Sequence, residues 1–87
     1  SNLWGQIMKR FNNNSNITGE LIKNVRTSKG FTKEDVCKKL QLLGINIDRV
    51  ELYRMETNKI IIKDFELIAF CKVLGIDYDA LLETIHE

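Results

Sequence analysis

Apolar residues recur along this chain at helical spacing, and polar punctuation divides them into segments. Leu3, Trp4, Ile7, Met8 and Phe11 fall at i, i+1, i+4, i+5 and i+8, which places them on one face of an amphipathic helix. The tract Asn12-Asn13-Asn14-Ser15-Asn16 stops that helix, because Asn and Ser side chains compete for backbone hydrogen bonds and favour turns. The pattern predicts an N-terminal amphipathic helix and Asn-rich linker over residues 1–16, followed by a helical domain over residues 17–87.

Within that domain a helix is expected from about Thr18 to Ser28, burying Leu21, Ile22 and Val25 and ending at Lys29-Gly30. The next has Thr32 as N-cap with Asp35 three residues later and Phe31 placed to staple onto Val36; its core face reads Val36, Cys37, Leu40 and Leu43. Asp48 and Glu51 repeat the device, with Ile47 stapled to Leu52 and with Leu52 and Met55 turned inward. Leu42-Leu43-Gly44-Ile45-Asn46 before it makes a longer turn than the minimum, and Thr57-Asn58-Lys59 after it reads as a loop.

Ile60, Ile61 and Ile62 would suit a strand, but a lone strand has no partner here, so an extended loop packed on the core is expected. A helix then runs from about Lys63 to Leu74, with no obvious side-chain acceptor at its start. Phe65, Leu67, Ile68, Ala69, Phe70, Cys71, Val73 and Leu74 make it more apolar than one buried stripe requires, so it should be covered on several sides. Gly75 ends it, and Asp77 caps a last helix on which Ile76 staples to Leu81 while Leu82 and Ile85 complete the apolar face.

Composition narrows the classes. With 87 residues, 44% of them hydrophobic, and no Pro, the chain suits one compact all-α core. No apolar run reaches the roughly 20 residues of a membrane span, so a cytoplasmic protein without a membrane partner is the expectation. The net charge of +1 divides unevenly: through Lys63 there are 12 basic against 6 acidic residues (+6), and from Asp64 onward 1 against 6 (−5). A basic first part suits phosphates, and the acidic part would face away from them. Cys37 and Cys71 fit no metal or redox spacing, and His86 is the sole histidine. With no nucleophile grouping and no phosphate loop either, no catalytic residue, metal, cofactor or small-molecule ligand is expected.

Four stretches, in order, carry a resemblance. They are Gly19-Glu20-Leu21-Ile22-Lys23-Asn24-Val25-Arg26, then Thr32-Lys33-Glu34-Asp35-Val36-Cys37-Lys38-Lys39-Leu40, then Asp48-Arg49-Val50-Glu51-Leu52-Tyr53-Arg54-Met55-Glu56, and finally Glu66-Leu67-Ile68-Ala69-Phe70-Cys71-Lys72-Val73-Leu74-Gly75-Ile76. Together they resemble the Cro/C1-type (XRE family) helix-turn-helix DNA-binding domain. The resemblance implies a five-helix lambda-repressor-like fold with the N-terminal amphipathic helix as an addition. It implies a sequence-specific transcriptional regulator, a repressor of bacterial or phage type, with double-stranded DNA as partner and a homodimer as its form. Cys37 and Cys71 stand where the family tends to have Ala, and Arg26 should pair with Glu56.

A helix in this arrangement lies in the major groove with its first turns at the base edges. Residues 48–56 are that helix here, with Arg49, Val50, Glu51, Tyr53 and Arg54 as its outward set. Arg forks onto guanine, Val meets a thymine methyl, Glu accepts from cytosine, and Tyr reaches phosphate or base. Lys33 matches a backbone-contacting position, and Asn58 and Lys59 are further phosphate contacts. Two departures stand against this: the long turn, and the carboxylates of Asp48 and Glu51 beside the groove. They keep open a rival, a helix-turn-helix-shaped protein-interaction module of antitoxin or regulator-docking type. The stripe from Leu3 to Phe11 is expected to be covered either by the helix around Phe65 and Ile68 or by a second copy of the chain.

Overall fold

The computed structural model describes Leu3 and residues 14–85. The expected N-terminal helix therefore lies outside the described residues apart from Leu3, which is helical, and so does His86. Five helices follow: α1 (Gly19–Ser28), α2 (Lys33–Gln41), α3 (Arg49–Glu56), α4 (Asp64–Leu74) and α5 (Tyr78–Leu82). No strand occurs among the described residues; Ile60 to Ile62 form an irregular connection in which Ile60 and Ile62 pack on the core, as expected, while Ile61 stands exposed.

The starts of α2 and α3 follow from local chemistry. Thr32 Oγ1 accepts from Asp35 N at 3.0 Å while Asp35 Oδ2 accepts from Thr32 N at 2.8 Å. Asp48 Oδ1 accepts from Glu51 N at 2.7 Å, and Glu51 reaches back to Asp48 N at 3.5 Å. Each box satisfies N–H groups that the first helical turn leaves without partners. α1 begins differently from expectation. Thr18 is itself helical in conformation and makes no side-chain cap; Asn16 Oδ1 takes the Gly19 N–H at 2.8 Å instead. α4 has an acceptor the sequence reading missed, since Glu66 Oε1 receives the Lys63 N–H at 2.8 Å.

The core gathers Ile22, Val36, Leu40, Ile47, Leu52, Met55, Ala69, Phe70, Leu74 and Ile76. α1 and α2 both pack on α3 and α4, so the third helix is held from behind while its far side stays open. Two details of the expected apolar faces change. α2 stops at Gln41, and Gly44 takes φ 81° in the turn, which leaves Leu43 exposed and lets Ile45 fold inward. α5 ends at Leu82, so Leu82 and Ile85 remain in solvent while Leu81 packs on the core.

Behind the motif lies a buried ion pair. Arg26 Nε meets Glu56 Oε2 at 2.6 Å and Nη2 meets Oε1 at 3.0 Å, and Nη1 donates to Phe31 O at 2.9 Å. The expected partnership of Arg26 and Glu56 is thus present, and the hydrogen bond from Arg26 to Glu56 raises the guanidinium pKa further. Among the described residues no buried side-chain polar atom lacks a partner.

Candidate nucleic-acid interface

α3 turns Leu52, Met55 and Glu56 inward and leaves Arg49, Val50, Glu51, Tyr53 and Arg54 exposed, as its periodicity predicts. The flanking lysines converge on one of these residues. Lys33 Nζ lies 6.0 Å from the Tyr53 ring centroid and Lys59 Nζ 5.2 Å, so two cations from separate elements gather at one aromatic ring. Both ammonium groups flank a residue of the outward face of α3.

At the other end of that face Arg49 Nη1 lies 3.3 Å from Glu34 Oε1 on α2. Both side chains are largely exposed, so this pair contributes little stability and gives way readily to a stronger partner. Asp48 serves as the cap, and Glu51 is bound to it through a long contact, which leaves the Glu51 carboxylate free to accept elsewhere. The Asp35 carboxyl is held below its ordinary pKa, chiefly by the Thr32 backbone N–H and next by the Thr32 hydroxyl.

Asn58 is placed differently from a free phosphate donor. It sits at φ 64°, and its Nδ2 donates to both the main-chain O and the Oδ1 of Asn16 at 2.9 Å each. Asn16 in turn donates to Met55 O at 3.0 Å and Ile60 O at 2.8 Å, while Ser15 N donates to Asn58 O at 3.0 Å. The Asn58 amide is committed inside the chain, where it fastens the loop that carries Lys59. Asn16 and Glu34 were the residues missed. The spacing Asn16-x-x-Gly19 carried a capping signal, whereas nothing in the sequence marks Glu34 as a partner of Arg49.

Cys37 and Cys71 are half-buried free thiols. Burial pushes both pKa values up, and the carboxylates of Glu34, Asp48, Glu51 and Glu56 add to the effect at Cys37. Neither is a poised nucleophile. No metal-ligand cluster occurs among the described residues, and no described helix is long and apolar enough to cross a membrane.

Two capped helices joined by a turn, the second with its back buried and its face open, form the helix-turn-helix arrangement. Residues 22–81 match the family HTH_3, helix-turn-helix. The chain belongs to the Cro/C1-type helix-turn-helix family. Members of this helix-turn-helix family bind DNA and are not typically enzymes. No curated protein and no solved structure matches the chain. The helix-turn-helix match covers most of α1, all of α2 to α4 and most of α5, and it starts beyond the Asn-rich linker.

Proposed function

We propose that this protein is a sequence-specific DNA-binding transcriptional regulator, a repressor of bacterial or phage type that acts in the cytoplasm, with α3 entering the major groove. The observation that carries the reading is the convergence of Lys33 and Lys59 on Tyr53 beside the exposed residues of α3. Point charges of this kind suit phosphate oxygens and fix register, while the helix between them reads base edges.

In this reading Arg49 forks onto guanine after leaving Glu34, Val50 touches a thymine methyl, and Glu51 accepts from a cytosine amine. Arg54 and the trio of Lys33, Tyr53 and Lys59 hold the backbone, and Asn58 keeps Lys59 in place. Residues 17–87 are the DNA-binding domain and residues 1–16 an appendage to it. Repression needs only occupancy of a site, and a two-fold dimer on a palindromic site doubles the contact.

The protein-interaction reading draws on the Arg49–Glu34 pair and on the Asp48 and Glu51 carboxylates at the start of α3. Titration of random duplex DNA at rising salt separates the two. Phosphate contacts give a log–log slope of about −0.9 for each phosphate neutralised. Absence of duplex binding at low salt overturns the regulator reading, and a measurable slope justifies selecting the preferred site from a random pool.

A further inference from the structure

The outer sides of α4 and α5 are both open and both apolar, and they differ in charge. On α4, Glu66, Ala69, Phe70 and Leu74 face the body, while Phe65 and Ile68, one turn apart, are 52% and 58% exposed. Lys63 Nζ lies 5.8 Å from the Phe65 ring centroid at one end of this stripe, and Lys72 stands one turn beyond Ile68 at the other. Asp64 also lies at the start of α4, but its Oδ1 accepts the Phe65 N–H at 2.6 Å. On α5, Ala80 and Leu81 pack on the core, which turns Tyr78, Asp79, Leu82 and Glu83 outward. Tyr78 and Leu82 are 71% and 54% exposed, and each has a carboxylate as its neighbour.

Between the two helices runs a groove of about 340 Å³ that joins Ile68 to Tyr78, and its lining carries Lys72 and no carboxylate. The apolar surface is therefore continuous from α4 to α5, and an extent of this kind marks a contact rather than ordinary scatter. Charge selects how a second copy fits it. Residues 64–87 carry 6 acidic side chains against Lys72 alone, so α5 laid on its own counterpart would set Asp79 and Glu83 against like charges. Laid on α4 of the other copy, the same carboxylates meet Lys63 and Lys72.

We propose that two copies of this chain associate through this face, with α5 of each seated on α4 of the other. Tyr78 and Leu82 then cover Phe65 and Ile68, while Asp79 and Glu83 lie toward Lys63 and Lys72. One two-fold rotation makes both contacts at once, because α4 and α5 border the same groove, and the assembly closes as a dimer. The interface rests on the dimer proposed above, and it forms without DNA because α3 takes no part in it.

Sedimentation of the full chain without DNA, through the micromolar range, tests the pairing by charge reversal. One variant carries Lys63→Glu with Lys72→Glu, a second Asp79→Lys with Glu83→Lys, and a third Ile68→Ser. All five positions are exposed, so the core stays intact, which far-ultraviolet circular dichroism verifies. The wild type should reach dimer mass as concentration rises. Each reversed variant alone should dimerise at least about tenfold more weakly, because both of its contacts then join like charges. An equimolar mixture of the two should regain association, since reversed α4 meets reversed α5 at one contact and the native pair meets at the other. Ile68→Ser should weaken the dimer with the charges unchanged. A wild-type dimer indifferent to the reversals or to Ile68→Ser, or a mixture no better than its components, overturns this interface and leaves the dimer standing. A monomer at every concentration overturns both, and duplex titration judges the regulator reading separately.

Discussion

Arg26 and Glu56, 30 positions apart in the chain, face each other through two parallel hydrogen bonds and bracket the helix-turn-helix motif. The pair ties the end of α1 to the end of α3 and so sets where α3 stops relative to the body. Both side chains are out of water, which makes loss of one partner costly. Glu56→Ala should destabilise the fold by about 3–5 kcal/mol in urea denaturation. Replacing both, as Arg26→Met with Glu56→Leu, should recover much of that loss. A single variant as stable as the wild type would show the pair to be incidental.

Gly19 is a point of contact between α1 and the end of α3. A methyl group there would overlap Met55 O and press on Asn16 Oδ1, both of them parts of the fastening around Asn58. Gly19→Ala normally favours a helix, yet here it should cost about 1–3 kcal/mol through overpacking. Thermal denaturation reads the sign, and a raised midpoint would mean that the helices separate freely.

Readers and positioners should behave differently on DNA. Arg49→Ala is expected to weaken the preferred site by about 1–3 kcal/mol with less effect on random duplex, whereas Lys59→Ala weakens all duplexes alike and lowers the salt slope by about 1. Glu34→Gln removes the carboxylate that holds Arg49, and should strengthen duplex binding by up to about fivefold. Identical salt slopes for all three variants would contradict the division of roles.

The Asp35 carboxyl has a depressed pKa in the folded chain, so its contribution is present above the unfolded value of about 3.9 and is lost as pH falls through the lower folded one. The stability gap between the wild type and Asp35→Ala should hold steady from neutral pH down to about 5 and then narrow below about 4. Chemical denaturation across that range measures it, and a gap that widens in acid would reverse the assignment.

The two capping boxes and the inward turn of Leu52 and Met55 were legible because each depends on residues within one helical turn of one another. Arg26 with Glu56 was legible only through resemblance, since nothing local links residues so far apart. The Asn-rich tract shows where local reading ends. Asn12 to Asn16 share one turn-forming chemistry, and what singles out Asn16 is the approach of Met55 O and Ile60 O, about 40 residues away. Glu66 was not legible as the acceptor at the start of α4 because Lys63 at the N-cap position carries no acceptor, and the reciprocal half of the box stands without it. Phe65 and Ile68 were expected to be covered and stand exposed on the described body, because periodicity counts apolar residues without saying which molecule meets them.

The helix α3 is anchored by its caps and by Leu52, Met55 and Glu56, while Arg49, Val50, Tyr53 and Arg54 touch solvent. Exchanges at exposed positions of this kind usually alter folding free energy by no more than about 0.5 kcal/mol. Durability and address are therefore written in separate letters of the same short helix. On the proposed reading, a lineage carrying this protein can vary the exposed letters one at a time while the fold stays intact.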